Sequence, residues 1–375
     1  MTLTEERSTS ESLARALLAK GVSRRDFMKF CTAMTAVLAL PVRYTPRIAQ
    51  AIETALRPPV IWLNFQDCAG NAESFLRANN PTVSELVLDI LSVDYQEVIM
   101  AAAGHYAEEN RLNTMRDYKG KYIVVVEGAI PLAEDGIYCV IGGHTAIDIL
   151  KETAKDAAAV ITAGTCAAYG GIPAAAPNPT GAVGVRDVLN NVPLINMPGC
   201  PMNVQNLTAL IVHYMTFNSL PAVDHEGRPL FAYGSRIHDD CERRAHFDAG
   251  QFVEEWGDEA HRKGWCLYKM GCKGPQTSHN CSIVRWNDGM SWPVGAGHGC
   301  VGCSEPHFWD TMGGLYTRLP NVELPVGAEV TASQLGAGVV GLVAAGIATH
   351  AIASGIRAKV DPIDRNVTEI EEKTP

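Results

Sequence analysis

Tyr122-Ile123-Val124-Val125-Val126-Glu127 is the stretch of sequence that decides the fold of this chain. Its β-branched residues form a short continuous apolar run, which is typical of a strand buried on both faces of a sheet. The other predicted strands are residues 60–64, 158–163 and 193–196. The predicted helices are residues 83–91, 101–118, 145–157 and 204–217. This alternation predicts an α/β fold with a parallel sheet and helices on both faces.

A second region, which begins near residue 221, lacks this alternation and is rich in Gly, Trp and charged residues. Six of the eleven cysteines and one of the histidines of this region fall into two groups: His238, Cys241, Cys266 and Cys272, then Cys281, Cys300 and Cys303. Thiolates at this density are the usual ligands of iron–sulfur clusters, and a histidine can replace one of them. We therefore predict two clusters in a domain of residues 221–325 that has little regular structure.

Zinc sites, disulfides and inert buried thiols are the alternatives for these cysteines. Zinc would leave the three-cysteine group one ligand short. Disulfide scaffolds are usually short, whereas 375 residues with 47% hydrophobic composition can bury a core without cross-links. Around Cys272, glycine and proline should also place backbone N–H groups near cluster sulfurs.

Three more cysteines follow predicted strands. Cys68 comes after the first strand, Cys166 after the third and Cys200 after the fourth. Ligands of open parallel sheets bind beyond the carboxyl ends of the strands, so these cysteines should meet at one edge. We predict a third cluster site there, in a domain of residues 52–220. Cys139 fits no ligand group and is expected to be a buried thiol.

The N-terminus carries an export pattern. Arg24-Arg25 precedes an uncharged stretch at residues 30–42, and Ala49-Gln50-Ala51 offers the small residues that a signal peptidase requires. This order is typical of a twin-arginine signal of residues 1–51, which would remove Cys31 with it. A chance pair of arginines before an apolar helix is the alternative. The formal net charge of −10 argues against nucleic acid as a partner.

Residues 335–356 contain no charged residue. Because a helix rises about 1.5 Å per residue, 22 positions can cross a bilayer core of roughly 30 Å. We predict a C-terminal membrane anchor in contact with lipid. Arg357 and Lys359 follow it at once, which places the tail of residues 357–375 in the cytoplasm and the body of the protein on the periplasmic face.

Together these stretches resemble the small, electron-transferring subunit of membrane-bound [NiFe]-hydrogenases. The motifs that carry the resemblance are Ser23-Arg24-Arg25-Asp26-Phe27-Met28-Lys29, Gly164-Thr165-Cys166, Pro198-Gly199-Cys200-Pro201, Arg243-Arg244-Ala245-His246-Phe247-Asp248-Ala249-Gly250, Gly264-Trp265-Cys266-Leu267-Tyr268-Lys269-Met270-Gly271-Cys272-Lys273-Gly274-Pro275 and Gly297-His298-Gly299-Cys300-Val301-Gly302-Cys303-Ser304-Glu305-Pro306. They extend over nearly the whole chain.

The resemblance implies a flavodoxin-like N-terminal domain and three clusters that carry electrons from a nickel–iron centre in a separate large subunit. Cys68, Cys166 and Cys200 would bind a proximal [4Fe–4S] cluster. His238, Cys241, Cys266 and Cys272 would bind a distal [4Fe–4S] cluster. Cys281, Cys300 and Cys303 would bind a medial [3Fe–4S] cluster, with Pro293 in place of a fourth cysteine. Hydrogen oxidation is the expected direction, with a membrane cytochrome b or another membrane protein as acceptor.

One position departs from the family pattern. The proximal Cys-x-x-Cys pair reads Cys68-Ala69-Gly70-Asn71, so the second cysteine is replaced by an amide, a poor iron ligand. The fourth ligand could be Asp67, Asn71 or water, or the cluster could have three irons. Asp67 is the favoured ligand, although it could simply hydrogen-bond a turn. Gly70 and Gly171 stand where oxygen-tolerant relatives carry extra cysteines.

Two other classes of function remain open on sequence. The chain could be a membrane-tethered multi-cluster electron carrier without a hydrogenase partner, or a zinc-stabilised structural protein. The N-terminal domain alone also resembles the cluster-bearing subunit of quinone-reducing respiratory complexes, which lacks the second domain. The motifs after residue 221 therefore favour the hydrogenase.

Overall fold

A five-stranded sheet lies at the centre of the fold. Its strands are β1 (Pro59–Asn64), β2 (Ser92–Gln96), β3 (Ile123–Glu127), β4 (Ala159–Ala163) and β5 (Leu194–Met197). All pairings are parallel, in the order β2-β1-β3-β4-β5. This is the flavodoxin-like order, in which ligands bind where the strand order reverses, beyond the carboxyl ends of β1 and β3. The predicted parallel α/β fold is confirmed.

The computed structural model describes residues 23–54, 57–79, 82–312, 322–323, 329–330 and 332–360. Two compact units divide between residues 319 and 320. The proposed domain boundary near residue 220 lies inside the first unit and remains a prediction. Residues 1–22 of the predicted signal and residues 361–375 of the predicted tail lie outside the described residues.

The edge strand β2 was not predicted from the sequence. Its residues Ser-Val-Asp-Tyr-Gln alternate between polar and apolar side chains, so they form no continuous apolar run. The preceding stretch was predicted as a single helix at residues 83–91. The structure has one α-helical turn there, Val83–Glu85, followed by a π-helical turn, Leu86–Ile90.

The longer helices of the first unit are α1 (Arg24–Val37), α2 (Thr45–Thr54), α3 (Gly70–Leu76), α4 (His105–Asp117), α5 (Ala146–Ala154), α6 (Thr165–Tyr169) and α7 (Val204–Phe217). The helix α7 has its predicted bounds. The helix α4 begins four residues later than predicted, because Gly104 has φ 57°, a left-handed backbone angle that cannot continue a right-handed helix.

The two faces of the sheet carry separate apolar layers. Trp62, Val125 and Ile161 lie in register on neighbouring strands and pack in one layer, with residues of α7. Leu63 and Val126 are paired one residue later and pack in the other layer, with residues of α4 and α5. Successive side chains of a strand point to opposite faces, which is why one apolar run supplies both layers.

The described part of the predicted signal forms two helices that pack on α7. The helix α1 starts after Ser23, whose Oγ accepts a hydrogen bond from Asp26 N at 3.2 Å. Cys31 and Ile48 are fully buried in the layer shared with α7. The Arg47 guanidinium lies over the Phe217 ring, 4.8 Å from its centroid. Cleavage after residue 51 would therefore uncover apolar surface on α7. The signal peptide itself remains a prediction.

After α7 the regular elements are short. They are the helical segments Leu230–Tyr233, Arg244–Asp248, Glu259–Arg262, Tyr268–Met270, Gly274–Gln276, Cys281–Val284 and Phe308–Thr311. The two-residue strand pairs of the described chain are Ile130–Pro131 with Ala182–Val183, Val140–Ile141 with His144–Thr145, and Val322–Glu323 with Glu329–Val330. Reciprocal amide hydrogen bonds between Asn206 and Asn280, at 2.9 and 3.0 Å, join this region to α7.

The second unit contains the C-terminal helix Ala332–Val360. Its segment Gly338–Gly355 has a mean hydropathy of 1.6 and is long and apolar enough to cross a membrane. The predicted anchor of residues 335–356 lies within this helix.

Candidate metal centres

Four predicted ligands line one small cavity in the region after α7. They are His238, Cys241, Cys266 and Cys272. Ile237, Leu267 and Val294 complete its walls with apolar side chains. The His238 ring is half-buried and meets the edge of Phe247 at 4.5 Å between centroids. Burial lowers the pKa of His238, which favours the neutral imidazole that binds metals.

Backbone N–H groups point at the sulfur atoms of this cavity. Arg243 N donates to Cys241 Sγ at 3.4 Å, and Cys300 N donates to Cys272 Sγ at 3.2 Å. Burial raises the pKa of the Cys272 thiol, whereas the Gly274 N–H lowers it, as expected from the glycine and proline around this cysteine. A bound metal deprotonates a coordinating thiol, and N–H donors then stabilise the negative sulfur. The donor set fits an iron–sulfur cluster.

The second predicted group lies deeper. Burial raises the pKa of the Cys281 thiol, and the nearby Cys303 and Cys300 thiols raise it further. His279 Nδ1 lies 2.9 Å from Cys281 Sγ. Burial lowers the pKa of His279 to about 3, so the ring is neutral and can donate one N–H to the sulfur. Gly302 N donates to Cys300 Sγ at 3.4 Å. These three thiols also fit a cluster. Pro293, which stands in place of a fourth cysteine, is exposed.

The third predicted group gathers at the carboxyl edge of the sheet. Cys68 follows β1, Cys166 lies in the first turn of α6 after β4, and Cys200 follows β5. Burial raises the pKa of the Cys166 thiol to about 12, and the Cys200 and Cys68 thiols add to this increase. Cys68 and Cys200 are exposed. The group therefore lies at the surface, where a partner protein can reach it.

Two glycines of the predicted site pack against these sulfur atoms. A Cβ atom added at Gly70 would lie 3.1 Å from Cys68 Sγ, and one at Gly171 would lie 2.5 Å from Cys166 Sγ. Gly171 also has φ 58°, a left-handed backbone angle that disfavours other residues. A cysteine at position 171 would therefore require the Cys166 loop to move.

The three groups follow one another in space. Burial raises the pKa of the Cys303 thiol to about 11; the backbone N–H of Cys200 lowers this pKa, and the nearby Cys200 thiol raises it. Thr165 Oγ1 donates to the Cys303 carbonyl oxygen. At the other side, the Cys300 N–H bond to Cys272 Sγ joins the second group to the first. The thiols thus form a continuous series from the sheet edge to the cavity of His238.

Asn71 and Asp67, the two protein candidates for a fourth ligand beside Cys68, are both engaged elsewhere. Asn71 Oδ1 accepts from Met202 N at 2.8 Å, and Asn71 Nδ2 donates to Glu127 Oε1 at 3.2 Å. Asp67 Oδ1 accepts from Ala69 N at 2.6 Å, which is the turn hydrogen bond considered as its alternative role.

Three buried polar residues around these sites were not predicted from the sequence. They are Glu127, Lys273 and His279, with exposed fractions of 0%, 1% and 2%. A carboxylate at the end of the most apolar strand was the available signal for Glu127. Nothing in the local sequence indicates that Lys273 or His279 would be buried, because both follow from how loops distant in sequence pack.

All eleven cysteines lie within the described residues, and none forms a disulfide. Cys139 is half-buried, not buried as expected; burial still raises the pKa of its thiol to about 11. Within the described part of the chain, no three His, Cys, Asp or Glu side chains converge in a way that would hold a single metal ion.

Comparison with known proteins agrees with this arrangement. The family model for the C-terminal region of the NiFe/NiFeSe hydrogenase small subunit matches residues 233–316. The uptake hydrogenase small subunit of Azotobacter vinelandii is 48% identical over 358 residues, which cover 96% of this chain and 99% of that protein. The chain belongs to the [NiFe]-hydrogenase small-subunit family. The predicted family is therefore confirmed.

Small subunits of this family bind iron–sulfur clusters and pair with a large subunit that holds the nickel–iron catalytic site. The quinone-reactive Ni/Fe-hydrogenase small chain of Wolinella succinogenes is 47% identical over 342 residues, 89% of this chain and 96% of that protein. The [NiFeSe]-hydrogenase of Desulfomicrobium baculatum superposes with a TM-score of 0.66 at 34% identity, over 70% of this chain and all of that one. The NADH ubiquinone oxidoreductase 20 Kd subunit model matches residues 68–214 alone.

Proposed function

We propose that this chain is the electron-relaying small subunit of a membrane-bound uptake [NiFe]-hydrogenase that faces the periplasm. The continuous series of thiols from the sheet edge to the His238 cavity carries the proposal. Cys68, Cys166 and Cys200 hold the proximal cluster beside the large subunit. Cys281, Cys300 and Cys303 hold a medial [3Fe–4S] cluster, and His238, Cys241, Cys266 and Cys272 hold a distal [4Fe–4S] cluster.

The clusters supply one-electron redox chemistry when they are bound. This chain's own residues position the clusters, exclude water and donate hydrogen bonds to the sulfur atoms. Buried Cys281 and Cys300 keep water away from the medial site. The N–H groups of Arg243, Gly302 and Cys300 stabilise negative sulfur at three ligands. Half-buried His238 stands at the outer end of the series, where an acceptor can approach. No residue of this chain has to move a proton in the hydrogen chemistry itself.

The sequences near the two termini support the proposed location of the protein. The Arg24-Arg25 pattern supports twin-arginine export of the folded, cluster-loaded protein, and the apolar segment Gly338–Gly355 supports a membrane anchor. Arg357 and Lys359 after this segment favour a cytoplasmic tail. A relative named quinone-reactive supports an acceptor in the membrane, such as a cytochrome b that lies beside the anchor in the lipid.

A metal count on the native complex tests this function. The complex is purified without oxygen through a tag on this chain, and its polypeptides, nickel and iron are measured. We expect a large partner subunit, about one nickel and about 11 or 12 iron atoms per complex. Iron without nickel or a large partner would contradict the hydrogenase and leave a tethered electron carrier. Zinc in place of iron would exclude electron transfer.

Removal of the C-terminal helix should separate hydrogen oxidation from membrane coupling. A chain that ends at residue 331 is expected to yield a periplasmic complex that leaves the membrane fraction and still reduces a soluble dye with hydrogen, because the clusters lie in the first unit. Its reduction of the native quinone pool should fall to background. The matched control ends at residue 360 and keeps the helix. A truncated complex that stays in washed membranes would contradict the anchor.

A further inference from the structure

The proximal site has three thiols and an amide where a fourth thiol would be. The amide of Asn71 is 6% exposed, and both of its ends are hydrogen-bonded, to Met202 N and to Glu127. A Cβ atom at Gly164 would lie 2.4 Å from Asn71 Oδ1, so only glycine leaves room for the amide. Asn71 is therefore fitted into the protein interior, and turning it toward a cluster would leave the Met202 N–H without its partner and remove one of the hydrogen bonds to Glu127.

Asp67 is fixed by the turn that carries Cys68. Its Oδ1 accepts from Ala69 N at 2.6 Å, and its Oδ2 accepts from Asn64 Nδ2 at 3.2 Å. Ala69 has φ 57°, which is unfavourable for a residue with a side chain, and the Asp67 hydrogen bond holds this turn. Rotating Asp67 onto an iron atom would release the turn that positions Cys68 itself.

The remaining carboxylates near the start of α3 are also engaged. Glu127 accepts from Trp62 Nε1, Asn64 Nδ2, and the backbone N–H groups of Asn71 and Ala72. Glu73 forms an exposed ion pair with Arg77 at 2.8 Å.

From this geometry we infer that the proximal site is a three-thiolate site that holds a [3Fe–4S] cluster. The inference rests on the proposed function and revises the [4Fe–4S] cluster that the family resemblance implied for this site. Four-iron clusters are commonly held by four protein ligands, one for each iron, whereas a three-iron cluster needs only three. Cys68, Cys166 and Cys200 hold three irons, and the fourth corner has no protein ligand, as at the Cys281, Cys300 and Cys303 site. Two of the three clusters then have only three protein ligands.

The inference has a functional consequence. An oxidised [3Fe–4S] core contains only ferric iron, whereas a [4Fe–4S] core in its 2+ state already holds two ferrous equivalents, so the three-iron cluster accepts its electron at a higher reduction potential. The first electron acceptor beside the nickel–iron centre is then a high-potential cluster, which favours removal of electrons from hydrogen over their return. The ratio of hydrogen oxidation to hydrogen evolution should therefore rise relative to a four-iron variant.

Spin and iron quantification on the wild-type complex tests the inference directly. The anaerobically purified complex is oxidised with a mild dye, and its [3Fe–4S] clusters are quantified by EPR and by Mössbauer spectroscopy of ⁵⁷Fe. We expect about two three-iron clusters per nickel and about 10 iron atoms in this chain. One three-iron cluster with about 11 iron atoms would overturn the inference and leave the proposed function intact. Absence of nickel and of the large subunit would instead contradict the proposed function.

Substitutions at position 71 provide a second test. Asn71→Cys supplies a fourth thiol, so one three-iron cluster should become a four-iron cluster, and the oxidation-to-evolution ratio should fall. Asn71→Ala removes the same hydrogen bonds without adding a thiol and should keep two three-iron clusters. If Asn71→Ala lowers the iron content from about 11 to about 10, Asn71 is itself a ligand and the inference is wrong. Should Asn71→Cys fail to assemble, the wild-type count still decides.

Discussion

Replacement of Glu127 by alanine is expected to destabilise the folded subunit by roughly 3–5 kcal/mol. Glu127 ends β3 with no exposed surface and accepts hydrogen bonds from Trp62 Nε1, Asn64 Nδ2, Asn71 and Ala72 at 2.8–3.2 Å. Burial raises the pKa of this carboxyl, and the surrounding N–H groups favour its ionised form. Alanine would leave these buried donors unsatisfied at the point where β1, β3 and α3 meet.

Thermal unfolding of the purified complex measures this effect, and the apparent unfolding temperature should fall by roughly 10 °C. Because α3 follows Cys68 at once, proximal iron should be lost before the distal iron. Glu127→Gln is the matched control: it keeps one acceptor oxygen and the side-chain volume, so its loss of stability should be smaller. A Glu127→Ala complex with wild-type stability and iron content would show that the hydrogen bonds of Glu127 are not required.

Replacement of Lys273 by methionine is expected to lower the reduction potential of the neighbouring clusters by about 100 mV. Lys273 is 1% exposed and lies between two predicted ligand groups, because it follows Cys272 and its N–H donates to the Cys300 carbonyl oxygen at 2.7 Å. Burial lowers the pKa of Lys273, while the Cys272 and Cys300 thiolates raise it. A unit charge about 7 Å away changes an electron's energy by roughly 2.4 kcal/mol at an effective dielectric constant of about 20, or about 100 mV.

The direction of the potential shift follows from the positive charge of Lys273. Reduction adds an electron to the cluster, and a buried cation stabilises the reduced form. Removing the cation therefore lowers the reduction potential. EPR-monitored redox titration of the medial and distal signals measures the shift. Lys269→Met is the control in the same loop, because the Lys269 side chain is 35% exposed and solvent screens its charge. Equal shifts in the two variants would contradict a specific effect of the buried cation.

The residues that pack the sheet and those that carry sulfur were predictable because their signals are local. The apolar run at residues 123–127 indicates a buried strand wherever it occurs, and the cysteine spacings indicate ligands. The strand β2 was missed because an edge strand with one polar face does not form such a run. The bounds of α7 were predicted because its apolar residues extend over the whole helix.

The sequence by itself determined the family, the parallel α/β architecture and the identity of the ten candidate ligands, because each depends on residue type and on spacing along the chain. Only the tertiary structure decided what surrounds them. The amide of Asn71 is directed toward Glu127 and Met202, Asp67 toward its own turn, and Lys273 lies between two groups of thiols. Asn71 and Met202 are joined by a hydrogen bond although they lie 131 positions apart, and such contacts leave no local pattern in a single sequence.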